Sequence, residues 1–293
     1  IRRRIFSAFE RAEWESDPAK VRAWLTFLVI GGGPTGVELA GALADIANRT
    51  LKHDFRRIDP ADAQILLLEA APRILTTYPE ELSVKAEKFL AKLKVSVQTR
   101  TTVTDLRPGE VIVKRDDTTQ RIPCHTVLWA AGVRASSLGK ALARATGAQL
   151  DRAGRVIVQE DFSLPNHPEI FVIGDLASYS HSGGPLPGVA PVAQQAGRYV
   201  ARVVAARLAG AQPPPFRYRN RGSMAIIGRR HAVADFGSFQ LAGFLAWLAW
   251  LFVHLMQLVE FQNRVLVLIQ WGWHYVLRSR AARLITGELR ARS

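Results

Sequence analysis

Residues 27–40 read Phe-Leu-Val-Ile-Gly-Gly-Gly-Pro-Thr-Gly-Val-Glu-Leu-Ala: an apolar run, a glycine turn, then the opening of a helix. The spacing Gly31-x-Gly33-x-x-Gly36 assigns each glycine a separate task. Gly31 permits a tight turn, Gly33 lets the backbone approach a pyrophosphate, and Gly36 lets helix and strand pack closely. The helix N-terminus, with Pro34 and Thr35 in its first turn, offers free N–H groups and a positive dipole end to phosphates. An ordinary glycine turn is the competing account. The strand before and the helix after favour dinucleotide binding.

Such a site needs an acid at the end of the next strand, where a carboxylate can accept both ribose hydroxyls. The run Gln64-Ile65-Leu66-Leu67-Leu68-Glu69 supplies it in Glu69. Its continuous apolarity suits a parallel sheet covered on both faces. Glu69 lies later than the usual spacing of about 20 residues, which the polar insertion 49–63 explains. A carboxylate there repels a 2′-phosphate, so NADH is favoured over NADPH; a surface Glu at a strand end is the plainer alternative.

Around this pair the pattern alternates. Residues 1–24 read as a helix, 26–30 as a strand, 35–48 as a helix, 52–63 as a loop and 80–93 as an amphipathic helix. Residues 95–98, 111–114 and 126–131 read as strands. Together they make an α/β domain over 25–140. Further on, 155–158 and 171–173 read as strands, 183–191 as a rigid loop and 192–208 as a helix, and Gln212-Pro213-Pro214-Pro215 reads as a boundary. The second strand ends at Gly174-Asp175. That acid suits the sugar or ribityl hydroxyls of another dinucleotide across a second sheet, or else merely caps the following turn.

The chain has 293 residues and a net charge of +14, which suggests more than one domain and an anionic partner. Nucleic acid is the weakest choice, because the arginines are dispersed and no zinc-finger spacing or RNA-binding aromatic pattern accompanies them. No metal site is expected. The lone Cys124 reads as a small buried hydrophobe. Residues 241–259 contain no Asp, Glu, Lys or Arg, 265–277 are apolar again, and five arginines against Glu288 fill 278–293. A buried helical hairpin is the bland reading. Trp247, Trp250, Trp271, Trp273 and Tyr275 beside a basic flank favour helices lying in a membrane interface on anionic lipid, with a single span left open.

Taken in order, GGGPTGVELAGALAD (31–45), DFRRIDPADAQILLLEAAPRIL (54–75), VLWAAGV (127–133), IFVIGDLA (170–177), GVAPVAQQAGRYVARVV (188–204) and RGSMAIIGRRHAVAD (221–235) resemble the type II NADH:quinone oxidoreductases. The aromatic C-terminal segment does too. The resemblance implies two Rossmann-type domains, one for FAD and one for NADH, a C-terminal membrane-binding part, a homodimer, and a peripheral place on the cytoplasmic face of the inner membrane. It implies an NADH site of Gly31, Gly33, Pro34, Thr35, Gly36, Glu69, Ala131 and Gly132, and a flavin site of Gly174, Asp175, Ala190 and Val192. Glu38 matches the acid near the nicotinamide–flavin contact and Gln195 a glutamine near flavin and quinone. Pro191 stands where the family has its first such Gln.

The family's first glycine fingerprint, for FAD, has no counterpart before Gly31. The chain opens Ile1-Arg2-Arg3-Arg4 without Met, so an N-terminal part is expected to be missing. The implied domains are 1–24 (residual FAD domain or linker helix), 25–140 (NADH), 141–235 (the rest of the FAD domain) and 236–293 (membrane helices and basic tail). The implied reaction passes hydride from NADH to FAD and two electrons to a membrane quinone, without proton pumping. The alternatives are a soluble pyridine-nucleotide disulfide reductase and a membrane-tethered nucleotide-binding sensor.

Overall fold

The structure, a computed structural model, describes residues 1–180, 185–212, 215–258 and 261–277, with side chains to 273. It divides into two compact units, Ile1–Gly132 with Gly222–Ser293, and Val133–Arg221. The basic tail 278–293, the Tyr275 side chain, residues 183–184 of the expected loop and Pro213-Pro214 of the expected boundary lie outside the described residues.

The first unit opens with α1 (Arg2–Trp14) and α2 (Pro18–Leu25), where one helix was expected. The break falls at Glu15–Asp17 because Asp17 caps the second helix, its side chain accepting the Ala19 N–H at 2.8 Å, and Pro18 starts it. Helix α1 buries Ile5, Phe6, Phe9 and Ala12 in the same core as Phe27 and Val29 of β1 (Thr26–Ile30). It therefore packs within the same unit as β1, where a residual FAD-domain or linker helix was expected.

Helix α3 (Pro34–Asp45) follows the glycine turn and ends in one wider turn, Ile46–Thr50. Strand β2 (Gln64–Leu68), helix α4 (Glu80–Lys92) and strand β3 (Val95–Gln98) come next. An antiparallel meander of β4 (Thr101–Arg107), β5 (Glu110–Arg115) and β6 (Thr118–Pro123) precedes β7 (Thr126–Trp129). The main sheet runs β3-β2-β1-β7, every pairing parallel. Phe27, Val29 and Leu67 point into the helical core, while Leu28 and Leu68 point into a second core with Val111, Val113 and Ile122 of the meander. Both faces are covered, as the unbroken apolar strands required. Sequence periodicity missed β4 and β6, whose residues are largely exposed.

The second unit contains α5 (Ser137–Thr146), β8 (Val156–Ile157), β9 (Ser163–Leu164), β10 (His167–Phe171), β11 (Ala177–Ser178) and α6 (Ala190–Leu208). Its ladders are short: β9 pairs with β10 and β8 with β11. The strand expected over 171–173 instead ends at Phe171. Val172 keeps one bond, its N–H donating to the Phe162 carbonyl at 3.0 Å, before a 3-10 turn over Gly174–Leu176. Phe162, Tyr179, Tyr199 and Phe216 form an aromatic core behind it.

The chain then returns to the first unit as an antiparallel sheet of β12 (Ser223–Ile226), β13 (Ala232–Asp235) and β14 (Gln240–Gly243). Ala225, Ile227 and Val233 join the core of α3 and α4. The contact boundaries therefore fall at 132 and 221, not at 140 and 235. Helix α7 (Phe244–Met256) and helix α8 (Phe261–Leu277) complete the described chain. Leu241–Gly243 pair with β13, which leaves α7 with 13 residues, or about 20 Å. The hydrocarbon core of a bilayer is about 30 Å thick. Among the described residues no helix is long and apolar enough to cross a membrane. Both helices nonetheless expose large side chains, among them Phe244, Leu245, Phe252, Phe261, Ile269 and Trp273.

Candidate functional site

The glycine turn sits at the carboxyl ends of β1, β2 and β7. Strands β2 and β7 flank β1 there, which is the topological switch point of an open parallel sheet. Gly31 has φ 105°, and a Cβ on it would stand 2.8 Å from the Ala130–Ala131 backbone. Its N–H donates to the Leu68 carbonyl at 2.8 Å, which ties the turn to β2. On Gly36 a Cβ would lie 1.8 Å from the Gly31 carbonyl oxygen. Gly33 differs: a Cβ there would meet nothing within 4 Å. Its open side faces the cleft, where α3 begins with no side-chain cap and with Pro34 and Thr35 exposed.

Glu69 leaves β2 directly into this cleft. Its Oε2 accepts the Gly32 N–H at 2.5 Å and its Oε1 the Ala71 N–H at 2.7 Å. Each oxygen keeps a further lone pair, so the carboxylate is oriented and can still accept two hydroxyls. Ala131 and Gly132 are exposed on the other flank, after the Ala130 N–H donates to the Ile30 carbonyl at 2.7 Å. The donor set fits a dinucleotide: N–H groups at the helix start, open space at Gly33, an oriented acid at the ribose position. Sequence reasoning passed over Gly32, a variable position in the fingerprint. A Cβ on it would come within 2.7 Å of Ile74 Cγ2; the triple glycine was the available signal.

Glu38, on α3, is turned away from the cleft toward β12. Its Oε1 accepts the Ile226 N–H at 3.2 Å. Burial pushes its carboxyl above the usual range, and the Ile226 N–H and His254 pull it partly back. Beside it Tyr78 is buried, and its hydroxyl has no hydrogen-bond partner among the described residues. Burial raises that phenol well above its ordinary value, and the Glu38 and Asp235 carboxylates add to the effect. Cys124 is buried and its thiol is pushed up to about 11, which leaves it inert.

The second unit has a groove of about 670 Å³, lined among others by Arg134, Gly174, Asp175, Gly188 and Val192. Gly174 has φ 68°, and a Cβ on it would stand 3.4 Å from the Ala193 Cβ, while Asp175 is exposed at the groove. A carboxylate for hydroxyls beside the uncapped start of α6 is a donor set that fits part of a flavin cradle. Ala190 opens α6, and Pro191 occupies its first turn, where a missing N–H breaks no helical bond. Gln195 does not line this groove. Its Nε2 donates to the Arg219 carbonyl and its Oε1 accepts the Arg219 N–H, both at 3.0 Å, so the side chain tethers 216–221 to α6. No group of metal ligands occurs among the described residues.

Residues 4–197 match the pyridine nucleotide-disulphide oxidoreductase family. The chain belongs to that family. Residues 220–279 match the NDH2 C-terminal domain. The chain is 43% identical over 295 residues to the type II NADH:quinone oxidoreductase NdhA of Mycobacterium tuberculosis, and 44% identical over 292 residues to Ndh of the same organism. These matches cover 99% and 98% of this chain but 62% of each relative, so the chain spans under two thirds of their length. The resemblance drawn from the sequence is thereby borne out. In fold, the chain is similar to NDH2 of Plasmodium falciparum solved in complex with NADH, with a TM-score of 0.83, 18% identity, and coverage of 94% of this chain and 70% of that one.

Proposed function

We propose that this family member is the NADH-docking and quinone-facing part of an FAD-dependent NADH:quinone oxidoreductase of type II. It works without proton pumping, as a homodimer, on the cytoplasmic face of the inner membrane. The observation that carries the reading is the glycine turn with its open Gly33 and the oriented Glu69 carboxylate. NADH lies along 31–36, its adenosine ribose on Glu69 and its nicotinamide half beside Ala131 and Gly132. Gly174, Asp175, Ala190 and Val192 would hold part of an FAD, which when bound would supply the two-electron redox chemistry between NADH and quinone.

The chain's own groups bind, orient and exclude water. Glu38, held above the usual carboxyl range, keeps a proton to higher pH than a surface Glu. Gln195 acts on the flavin side by fixing the backbone at Arg219. Helices α7 and α8 lie in the membrane interface, with the basic residues of 278–293 on anionic lipid. The test is NADH oxidation by FAD-loaded protein with a short-chain quinone. Quinone-dependent turnover is expected; its absence overturns the reading, and turnover with a disulfide substrate instead favours a disulfide reductase.

A further inference from the structure

The segment between Glu69 and α4 folds around one side chain. The Arg73 guanidinium is spent on main-chain carbonyls: Nη1 donates to Leu75 at 3.1 Å and Tyr78 at 2.9 Å, and Nη2 donates to Thr76 at 2.9 Å. Leu75 is buried with φ 50°, a left-handed conformation that costs a branched side chain about 1 kcal/mol or more. It is held there because its N–H donates to the Gly32 carbonyl at 2.8 Å, while the Tyr78 N–H donates back to the Leu75 carbonyl. Ser83 Oγ fastens the preceding residue, donating to the Ile74 carbonyl at 2.7 Å. Gly32 is thus gripped from both sides, its N–H by Glu69 and its carbonyl by Leu75.

We infer that Arg73 is a positioning residue for the dinucleotide site: it holds 70–78 as a strap on the glycine turn, so that Gly32 and Glu69 keep the geometry that receives the adenosine ribose. This rests on the reading that the cleft takes NADH. Charge-assisted bonds to three carbonyls are worth more than neutral ones, and they close a loop with little other secondary structure. The same bonds engage on the main chain a cation that follows closely on Glu69. An arginine at such a place could otherwise meet a 2′-phosphate. Losing the strap should therefore weaken NADH, which depends on Glu69, more than NADPH, which that carboxylate already repels.

The test compares Arg73→Gln and Arg73→Lys with the unaltered chain by nucleotide titration and by amide hydrogen exchange. In Arg73→Gln, NADH affinity should fall ~10-fold and NADPH affinity ~2-fold or less, so that the preference narrows. The Gly32 and Leu75 amides should exchange faster, with Lys intermediate because an ammonium lacks the planar fork. Unchanged preference and unchanged exchange in Arg73→Gln would overturn the inference. If Arg73→Gln fails to fold, Arg73→Lys decides by the same two readouts. Failure of the unaltered chain to bind NADH would instead sink the dinucleotide reading, and the exchange data would still judge the strap.

Discussion

Glu69 closes a five-residue strand with parallel partners on both sides, whereas Asp175 stands beyond a strand that stops at Phe171. Both acids follow an apolar run. In the first unit the Glu69 N–H also donates to the Gln98 carbonyl at 2.9 Å, and its carboxylate is held by two further N–H groups. In the second, Asp175 is exposed, and the neighbouring ladders are two residues long. An apolar run ending in an acid thus marks where a carboxylate can emerge. The sheet around it decides whether that carboxylate is fixed.

The largest expected effect breaks the first site outright. Gly36→Ala places a Cβ 1.8 Å from the Gly31 oxygen, so β1 and α3 must separate. A loss of about 3 kcal/mol or more in thermal or denaturant unfolding should follow, with NADH binding abolished. Gly33→Ala adds the same methyl where nothing stands within 4 Å and φ is −70°. Its melting temperature should hold while NADH affinity falls ~10-fold, read by titration.

Next comes the exchange of acids. Glu69→Arg removes the acceptor of two N–H groups, costs about 1–3 kcal/mol, and shifts preference toward NADPH in paired titrations. Asp175→Ala should leave the melting curve in place and reduce only the flavin retained after gel filtration. Equal destabilisation by both would erase the contrast between the sites.

Smaller effects concern charge. The Glu38 carboxyl is raised in the fold, so the native state binds more protons than the unfolded chain above the ordinary Glu pKa. Stability is therefore lost as pH rises from that value through the folded one. Glu38→Gln should stabilise at neutral pH, with no gain below pH about 4, as melts across pH would record. In the second unit Asp161 behaves oppositely. Bonds from Ser163 and Arg207 outweigh partial burial and hold it below the usual range. Its contribution is present at neutral pH and lost on acidification, and because the pair is partly exposed Asp161→Asn should cost at most about 1 kcal/mol.

The glycine turn, Glu69 and the alternation of strands and helices were legible because each depends on local geometry: a tight turn, a strand-end acid, a two-face apolar run. The break at Glu15–Asp17 was legible too, in Asp17-Pro18, but the continuous amphipathic pattern masked it. What stayed hidden depends on distant partners. Ile226 bonds to Glu38 across 188 residues, and Gln195 to Arg219 across 24. Nothing in 241–259 announces that its first residues pair with β13 and shorten the apolar helix. The edge strands β4 and β6 were missed because exposed strands carry little hydrophobic alternation.

The fixed Glu69 carboxylate has a consequence in time. In the proposed NADH site, an acid already aimed by two N–H groups need not search rotamers to meet a ribose, so capture would add no slow isomerisation after encounter. Stopped-flow mixing with NADH should give one phase whose rate rises linearly with nucleotide concentration, and discrimination among nucleotides should reside in their residence times.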